Sequence, residues 1–329
     1  MTFQLSLAEG VGFEPTAEPQ QPGYGLASRP LRPLEHPSTQ SILGPSEIPC
    51  QGTALVGTIV LVMASTKNTL TKYSAFLLDV DGVLLRDSVP IPGAREALEE
   101  LRKHGRIVLL TNNSTRSRRE TAQRLCFLGF AVSPDEVVTS SYVAARYLHE
   151  KFGPCRVWVI GEAGLTEELA CAGHQLVEPD EAEWIVAGMD RKLTYQKLAL
   201  ALRGLLKGAR FLATNKDATF PTPDGLVPGA GAVVGAIEGM GFPPEQVVGK
   251  PSATAFHIAL EAARTSPERA LMVGDRLETD VLGAQRVGLD TALVLSGVSR
   301  PEDIERLGIR PTWMAQDLLA LARGEFVTP

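Results

Sequence analysis

The sequence is short of the residue types that several functions need. Its 329 residues hold 4 Cys and 5 His. Cys50, Cys126, Cys155 and Cys171 never approach Cys-x-x-Cys spacing, which argues against a zinc ribbon or a redox pair. They read as reduced cytosolic thiols. The histidines are scattered without ligand spacing, and His257, in an apolar helical stretch, reads as packed rather than catalytic. Positive charge is outnumbered by negative. The formal net charge is −6 and the pI lies near 5.5, so the chain lacks the basic footprint of a protein that holds phosphate backbones. No nucleic-acid partner is expected. The apolar stretch Ala54 to Ala64 falls short of the roughly 20 residues that span a bilayer, so no membrane partner is expected either.

What is present suits a globular protein. Apolar residues make up 44% of the chain, enough for real cores, and the length accommodates two domains. Residues 1–64 stand apart: they are dense in Pro, Gly, Gln and Ser, with no helical or strand period. This region is expected to be disordered, or a spurious extension. Val62-Met63-Ala64 would pass as a signal-peptide cleavage site, but such cores lie near the N-terminus, so a cytoplasmic protein is expected. Gly12-Phe13-Glu14-Pro15 resembles the translated complement of a transfer-RNA T-arm, which makes Met63 the natural start.

From Ala75 onward, short apolar runs alternate with amphipathic stretches, the pattern of a parallel sheet buried on both faces. Core strands are expected at Ala75 to Val80, Arg106 to Thr111, Arg269 to Asp275 and Thr291 to Leu295. Gly93 to His104 fits a crossover helix ended by Gly105. Further strands are expected near Arg156 to Ile160, Trp184 to Met189 and Arg210 to Thr214. The predicted fold class is α/β: a Rossmann-like parallel core (70–139 and 248–329) with an inserted α/β cap domain (140–247).

Four polar clusters punctuate these strands. Asp79-Val80-Asp81-Gly82 follows an apolar run and puts two carboxylates on one side. Taken alone, its Asp-Gly pair equally suits a tight hairpin turn. Thr111-Asn112-Asn113-Ser114 offers a hydroxyl and successive N–H groups near a helix start, where anions bind, or simply a capped turn. Gly249-Lys250-Pro251 follows the apolar Val247-Val248 and precedes a helix. Asp275 and Asp280 sit at a strand end and in the turn after it, where they could also be helix N-caps. Ligands of open parallel sheets bind at the carboxyl ends of strands, and all four clusters are expected at that edge. Carboxylates with a lysine and a Thr/Asn cradle suit a hard, oxygen-bound cation and a phosphoryl group.

These spaced motifs, D-x-D-G, T-N-N-S, G-K-P and G-D-x-x-x-T-D, resemble the four signatures of the haloacid dehalogenase superfamily. Their order, with the long insertion between the second and third, is similar to its capped branch of 4-nitrophenyl, phosphoglycolate and pyridoxal-phosphate phosphatases. The resemblance covers roughly residues 73 to 325. It implies Asp79 as the nucleophile that forms an aspartyl-phosphate and Asp81 as acid/base. It implies one Mg²⁺ on the Asp79 carboxylate, the Asp81 backbone carbonyl and Asp275, with Asp280 orienting that shell. Thr111, Asn112 and Asn113 would hold phosphate oxygens, and Lys250 would offset the gathered negative charge. Cap residues Asn215 and Asp217, with the loop to Gly225, would set specificity for a small phosphorylated metabolite: 4-nitrophenyl phosphate, phosphoglycolate, a sugar phosphate or a nucleoside monophosphate. A homodimer through the cap is the expected assembly. Phe220 stands near where pyridoxal-phosphate phosphatases place a histidine, which speaks against that substrate.

Rival readings lack parts. Gly229-Ala230-Gly231 misplaces its third glycine for a dinucleotide fingerprint and reads as a turn opening a helix, and Gly249-Lys250 lacks the rest of a nucleotide P-loop. A phosphomutase shares the Asp79/Asp81 pair but returns phosphate to a bound intermediate. A non-catalytic sensor on the same fold would be expected to have lost one of the two aspartates.

Overall fold

In the computed structural model, residues 69–329 are described, except 87 and 223. The expectations for residues 1–64 therefore lie outside the described residues. A seven-stranded sheet forms the base, ordered Phe326–Val327, Trp313–Ala315, Asp290–Val294, Ala270–Gly274, Ala75–Leu78, Arg106–Thr111, Val137–Thr139. Its pairings are parallel except for Phe326–Val327, which closes one edge antiparallel.

Strand alternation explains why the run Ala75–Leu78 is apolar throughout. Phe76 and Leu78 join one buried cluster with Leu109 and the helix residues Ala97, Leu98 and Leu101. Ala75 and Leu77 join another on the opposite face with Val108, Val143 and Phe256. A strand covered on both sides has no position left for a polar residue until it reaches its end. The helix Ala94–Arg102 buries Ala94, Ala97, Leu98 and Leu101, the i, i+3, i+4, i+7 stripe that its sequence predicts.

A second sheet is built only from intervening residues. Its order is Gln246–Val247, Arg210–Ala213, Trp184–Ala187, Arg156–Ile160, Gln175–Leu176, and all pairings are parallel. The helix Ser140–Phe152 lies between the sheets: Val143, Ala144 and Leu148 share one cluster with Leu77 and Val108 of the first sheet and with Val157, Trp184 and Leu212 of the second. Two antiparallel ribbons complete the fold, Leu85–Arg86 with Val89–Pro90 and Thr219–Thr222 with Gly225–Pro228.

The fold decides one open reading and corrects one expectation. Asp81-Gly82 does not turn a hairpin back along Ala75–Leu78, because both neighbours of that strand are parallel. Val247, the last residue of the expected insert, ends a strand of the second sheet. It pairs with Ala213 in the second sheet, so the lysine cluster reaches the site from that sheet and not from the first.

Candidate active site

Asp79 is the first residue beyond the apolar run of Ala75–Leu78. Its N–H still donates to the Val273 carbonyl at 2.9 Å, which fixes its backbone at the sheet's carboxyl edge. Asp275 stands in the same position after Ala270–Gly274, and Asp280 rides on the π-helical turn Leu277–Val281 that follows. Ligand oxygens of Asp79, Asp275 and Asp280 all lie within 4.8 Å of one another. Lys250, 3% exposed, reaches between them: its Nζ is 2.9 Å from Asp79 Oδ1 and 2.7 Å from Asp280 Oδ1.

Charge in this cluster does not balance. Burial pushes the Asp79 carboxyl well above the ordinary range; Lys250 opposes that, and Asp280, Asp275 and Asp81 push it further up. Burial, then Asp280, pushes Asp275 up to about 7. Burial alone would depress the Lys250 ammonium, but Asp280 and Asp79 overcome it and raise its pKa. One lysine faces several buried carboxylates, and a divalent cation would supply the missing charge.

The donor set fits such a cation. Asp275 Oδ1 is buried and has no hydrogen-bond partner among the described residues. Its other oxygen accepts from the Val298 N–H at 2.8 Å. A Cβ at Gly297 would stand 2.0 Å from that oxygen, so only glycine lets the loop press the carboxylate into place. Asp280 differs, because Lys250 takes its Oδ1 and the Arg276 N–H donates to its Oδ2 at 3.1 Å. Both oxygens are used, which suits a residue that holds others in place. Asp81 lines the same cavity, and its carboxylate accepts no hydrogen bond within the described residues. Burial raises its pKa, against the pull of Arg124, Lys250, Arg116 and Arg276.

The Thr111 loop is shaped from behind. A capping box between Ser117 and Glu120 starts the helix Arg118–Phe127. Asn113 Oδ1 accepts from the Thr115 N–H and hydroxyl at 2.9 and 2.7 Å, while its Nδ2 makes no hydrogen bond among the described residues. The Thr111 hydroxyl accepts from the Asn113 N–H at 3.1 Å, which leaves its own proton to donate. Thr111 and Asn113 thus bring free donors to the cavity. The Asn112 side chain does not: its Oδ1 accepts from the Lys250 N–H, and its Nδ2 donates to the Lys250 carbonyl and to Asp217.

Asn215 and Asp217 also line the cavity, but from within this network. Asn215 Nδ2 donates to the Asn112 carbonyl at 2.8 Å. Burial raises the Asp217 pKa, opposed by its hydrogen bond from Asn112. The cavity, about 230 Å³, is also lined by Thr219, Phe220 and Pro221 of the second ribbon. Sequence reasoning missed the loop Ser296–Val298, whose Ser296 hydroxyl donates to the Gly82 carbonyl at 2.6 Å. A Ser-Gly pair just past a core strand was the available signal. It missed Arg276 too, which faces the cavity with no ion pair among the described residues.

A site with hydroxyl and amide donors, a buried lysine and clustered carboxylates, one oxygen of which has no partner among the described residues, asks for a phosphoryl group beside a hard cation. The class that handles this pairing is the phosphoryl-transfer enzymes, phosphatases among them. The comparisons point the same way. Residues 76–175 match the family described as haloacid dehalogenase-like hydrolase, and residues 247–321 match a second of the same kind. An acid sugar phosphatase of Staphylococcus aureus is 34% identical over 250 residues, 76% of this chain and 96% of that protein. The structure of a p-nitrophenyl phosphatase from Archaeoglobus fulgidus superimposes with a TM-score of 0.72 at 37% identity, covering 76% of this chain and 98% of that one. A glycerol phosphate phosphatase from Mycobacterium tuberculosis, in complex with magnesium, superimposes with a TM-score of 0.72 at 35% identity, covering 77% and 78%. The chain belongs to the haloacid dehalogenase-like hydrolases, and it is a phosphatase.

Proposed function

We propose that this chain is a Mg²⁺-dependent phosphomonoester hydrolase that passes the phosphoryl group of a small metabolite through Asp79. The observation that carries this reading is the buried Asp275 Oδ1, left without a partner beside Asp79. Asp79, the Asp81 carbonyl and Asp275 would hold the cation. When bound, it would screen the charge between nucleophile and phosphoryl group and polarise a phosphoryl oxygen.

The chain's own residues do the rest. An Asp79 carboxylate oxygen attacks phosphorus, the ester P–O bond breaks, and Asp81 gives its proton to the departing oxygen. The raised pKa of Asp81 suits the acid role. Asp81, now a carboxylate, takes a proton from the water that attacks the aspartyl-phosphate, releasing phosphate and restoring Asp79. The Thr111 hydroxyl and Asn113 Nδ2, both on the cavity, would hold phosphoryl oxygens, and Lys250 would limit repulsion between Asp79 and the incoming dianion.

A cavity of about 230 Å³ lies below the roughly 300–1,000 Å³ of pockets for drug-sized ligands. It favours compact substrates such as a sugar phosphate, phosphoglycolate or a glycerol phosphate. The names of the relatives support that class. The second sheet and its ribbon act as the cap. Free Cys126, Cys155 and Cys171 support a cytoplasmic setting, and among the described residues no helix is long and apolar enough to cross a membrane. The test is phosphate release from a panel of phosphorylated metabolites and 4-nitrophenyl phosphate, with Mg²⁺ and with EDTA. Release from none of them, or undiminished release in chelator, would overturn the reading.

A further inference from the structure

Asn112 belongs to the motif that resembles a phosphate cradle, yet its side chain has no capacity left for phosphate. An amide offers an acceptor and two N–H donors. Here Oδ1 accepts from the Lys250 N–H at 2.8 Å, and Nδ2 donates to the Lys250 carbonyl at 3.0 Å and to both Asp217 oxygens at 3.1 Å. Asn112 therefore grips both backbone polar groups of Lys250. Its own carbonyl is gripped in turn by the Ser140 hydroxyl at 2.7 Å and by Asn215 Nδ2 at 2.8 Å.

Lys250 needs such a grip. It arrives from the edge of the second sheet, where the Val248 and Gly249 N–H groups donate to the Ala213 and Thr214 carbonyls. Its ammonium must nevertheless sit between Asp79 and Asp280 of the first sheet. The approach is tight: a Cβ on Gly249 would stand 2.7 Å from Asn112 Oδ1 and 2.5 Å from the Thr214 carbonyl. Asp217 completes the link, its N–H donating to Asn215 Oδ1 at 3.1 Å. One amide from the first sheet thus joins the backbone of the nucleophile's counter-cation to a carboxylate from the second.

We propose that Asn112 is a positioning residue: by clamping the Lys250 backbone while holding Asp217, it ties the ammonium beside Asp79 to the seating of the second sheet's loop. The inference rests on the phosphatase reading of the same site. A displacement of about 1 Å at a reacting centre costs on the order of 10²-fold in rate. The loss should fall on kcat, because the clamp touches Lys250 and not the substrate.

The test uses the full chain with 4-nitrophenyl phosphate and Mg²⁺, reading kcat, KM and the thermal midpoint. Asn112→Asp keeps the acceptor for the Lys250 N–H but sets a carboxylate against both the Lys250 carbonyl and Asp217; kcat should fall about 10²-fold with KM little changed. Adding Asp217→Asn relieves the clash with residue 217 but leaves a carboxylate oxygen facing the Lys250 carbonyl, so N112D/D217N should recover only part of the lost kcat. Asn112→Ala should lose kcat similarly and gain nothing from D217N. A rise in KM at constant kcat in N112D would make Asn112 a direct phosphate ligand. Equal kcat in N112D and the double variant would show that no link runs through Asp217. Should N112D fail to fold, N112A still decides: a fall in kcat at little-changed KM supports the clamp, and an unaltered kcat refutes it. If the wild-type chain releases no nitrophenol, the phosphatase reading fails first; full wild-type activity with an unaltered N112D sinks only the clamp.

Discussion

Asp81→Asn separates chemistry from architecture more cleanly than any other change in the site. The Asp81 carboxylate accepts no hydrogen bond within the described residues, and its backbone carbonyl is unaffected by the substitution. Folding stability should therefore fall by no more than about 1 kcal/mol, or rise as one buried acid is lost. Rate should not hold. A positioned acid/base contributes about 10²- to 10⁴-fold, or roughly 2.7 to 5.5 kcal/mol of barrier. The two half-reactions suffer unequally: an alkoxide needs a proton to leave, whereas 4-nitrophenolate departs without one. Asp79 should still be phosphorylated by the aryl ester, while hydrolysis of the aspartyl-phosphate, which needs a base, should stall. Rapid mixing should show a nitrophenol burst near one equivalent per enzyme, and acid-quenched mass spectrometry should place the phosphate on Asp79. Asp79→Asn should abolish both signals. No burst in D81N, with alkyl and aryl turnover lost in equal proportion, would refute the assignment of Asp81 as acid/base.

Mg²⁺ at 100 times its dissociation constant should stabilise the folded protein by about 2.7 kcal/mol, seen as a raised thermal midpoint. Asp275→Asn should erase that shift, and Ca²⁺ should support turnover poorly because its looser shell misplaces the carboxylate; a full shift in D275N would remove Asp275 from the metal site. Replacing the ribbon Thr219 to Leu226, leaving Asn215 and Asp217 in place, should change relative kcat/KM among metabolites by about tenfold or more while moving 4-nitrophenyl phosphate less. Equal losses on every substrate would put the ribbon in the chemistry. His174 is buried as the neutral ring, Nδ1 accepting from the Cys155 N–H at 3.0 Å and Nε2 donating to the Ala145 carbonyl at 3.0 Å, and burial lowers its pKa below 6.5. The unfolded chain then binds more protons, so this contribution is complete above about pH 6.5 and is lost as pH falls toward the folded value. His174→Phe, which orphans the Cys155 N–H, should cost about 1–3 kcal/mol at pH 7.5 and flatten the decline in urea stability between pH 7.5 and 5.5; an unchanged slope would exclude His174 as its source.

The sequence could show Ala75–Leu78, Arg106–Thr111 and Ala270–Gly274 because strands covered on both faces are written as continuous apolar runs. It could not show Gln175–Leu176, a pair of exposed residues at an open edge, or Val137–Thr139, which is too brief to carry a period. The lysine cluster misled for a different reason. Both sheets are parallel and buried, so their strands read alike, and only the pairing with Ala213 assigns Val247 to the second. Among site residues, the carboxylates and Lys250 were legible because charges at the ends of apolar runs have few structural uses. The task of Asn112 was not, because its acceptors come from Lys250 and Asp217, distant in sequence and set by no local pattern.

That difference bears on how specificity can vary without loss of chemistry. The second sheet is not a loosely tethered lid: Val157, Trp184 and Leu212 share a buried cluster with Leu77 and Val108 through the helix Ser140–Phe152. Separating the sheets would expose that layer, at roughly 25 cal/mol for each Å² of apolar surface. The ribbon Thr219–Thr222 and Gly225–Pro228 contributes to none of the buried clusters and is half-buried or exposed throughout. It reaches the cavity through Thr219, Phe220 and Pro221. Residues there can change size and polarity at little cost to packing, whereas Asn215 and Asp217, a few positions earlier, are bound to the element that holds Lys250. Substrate choice is therefore expected to follow the ribbon, and catalytic rate the clamp beneath it.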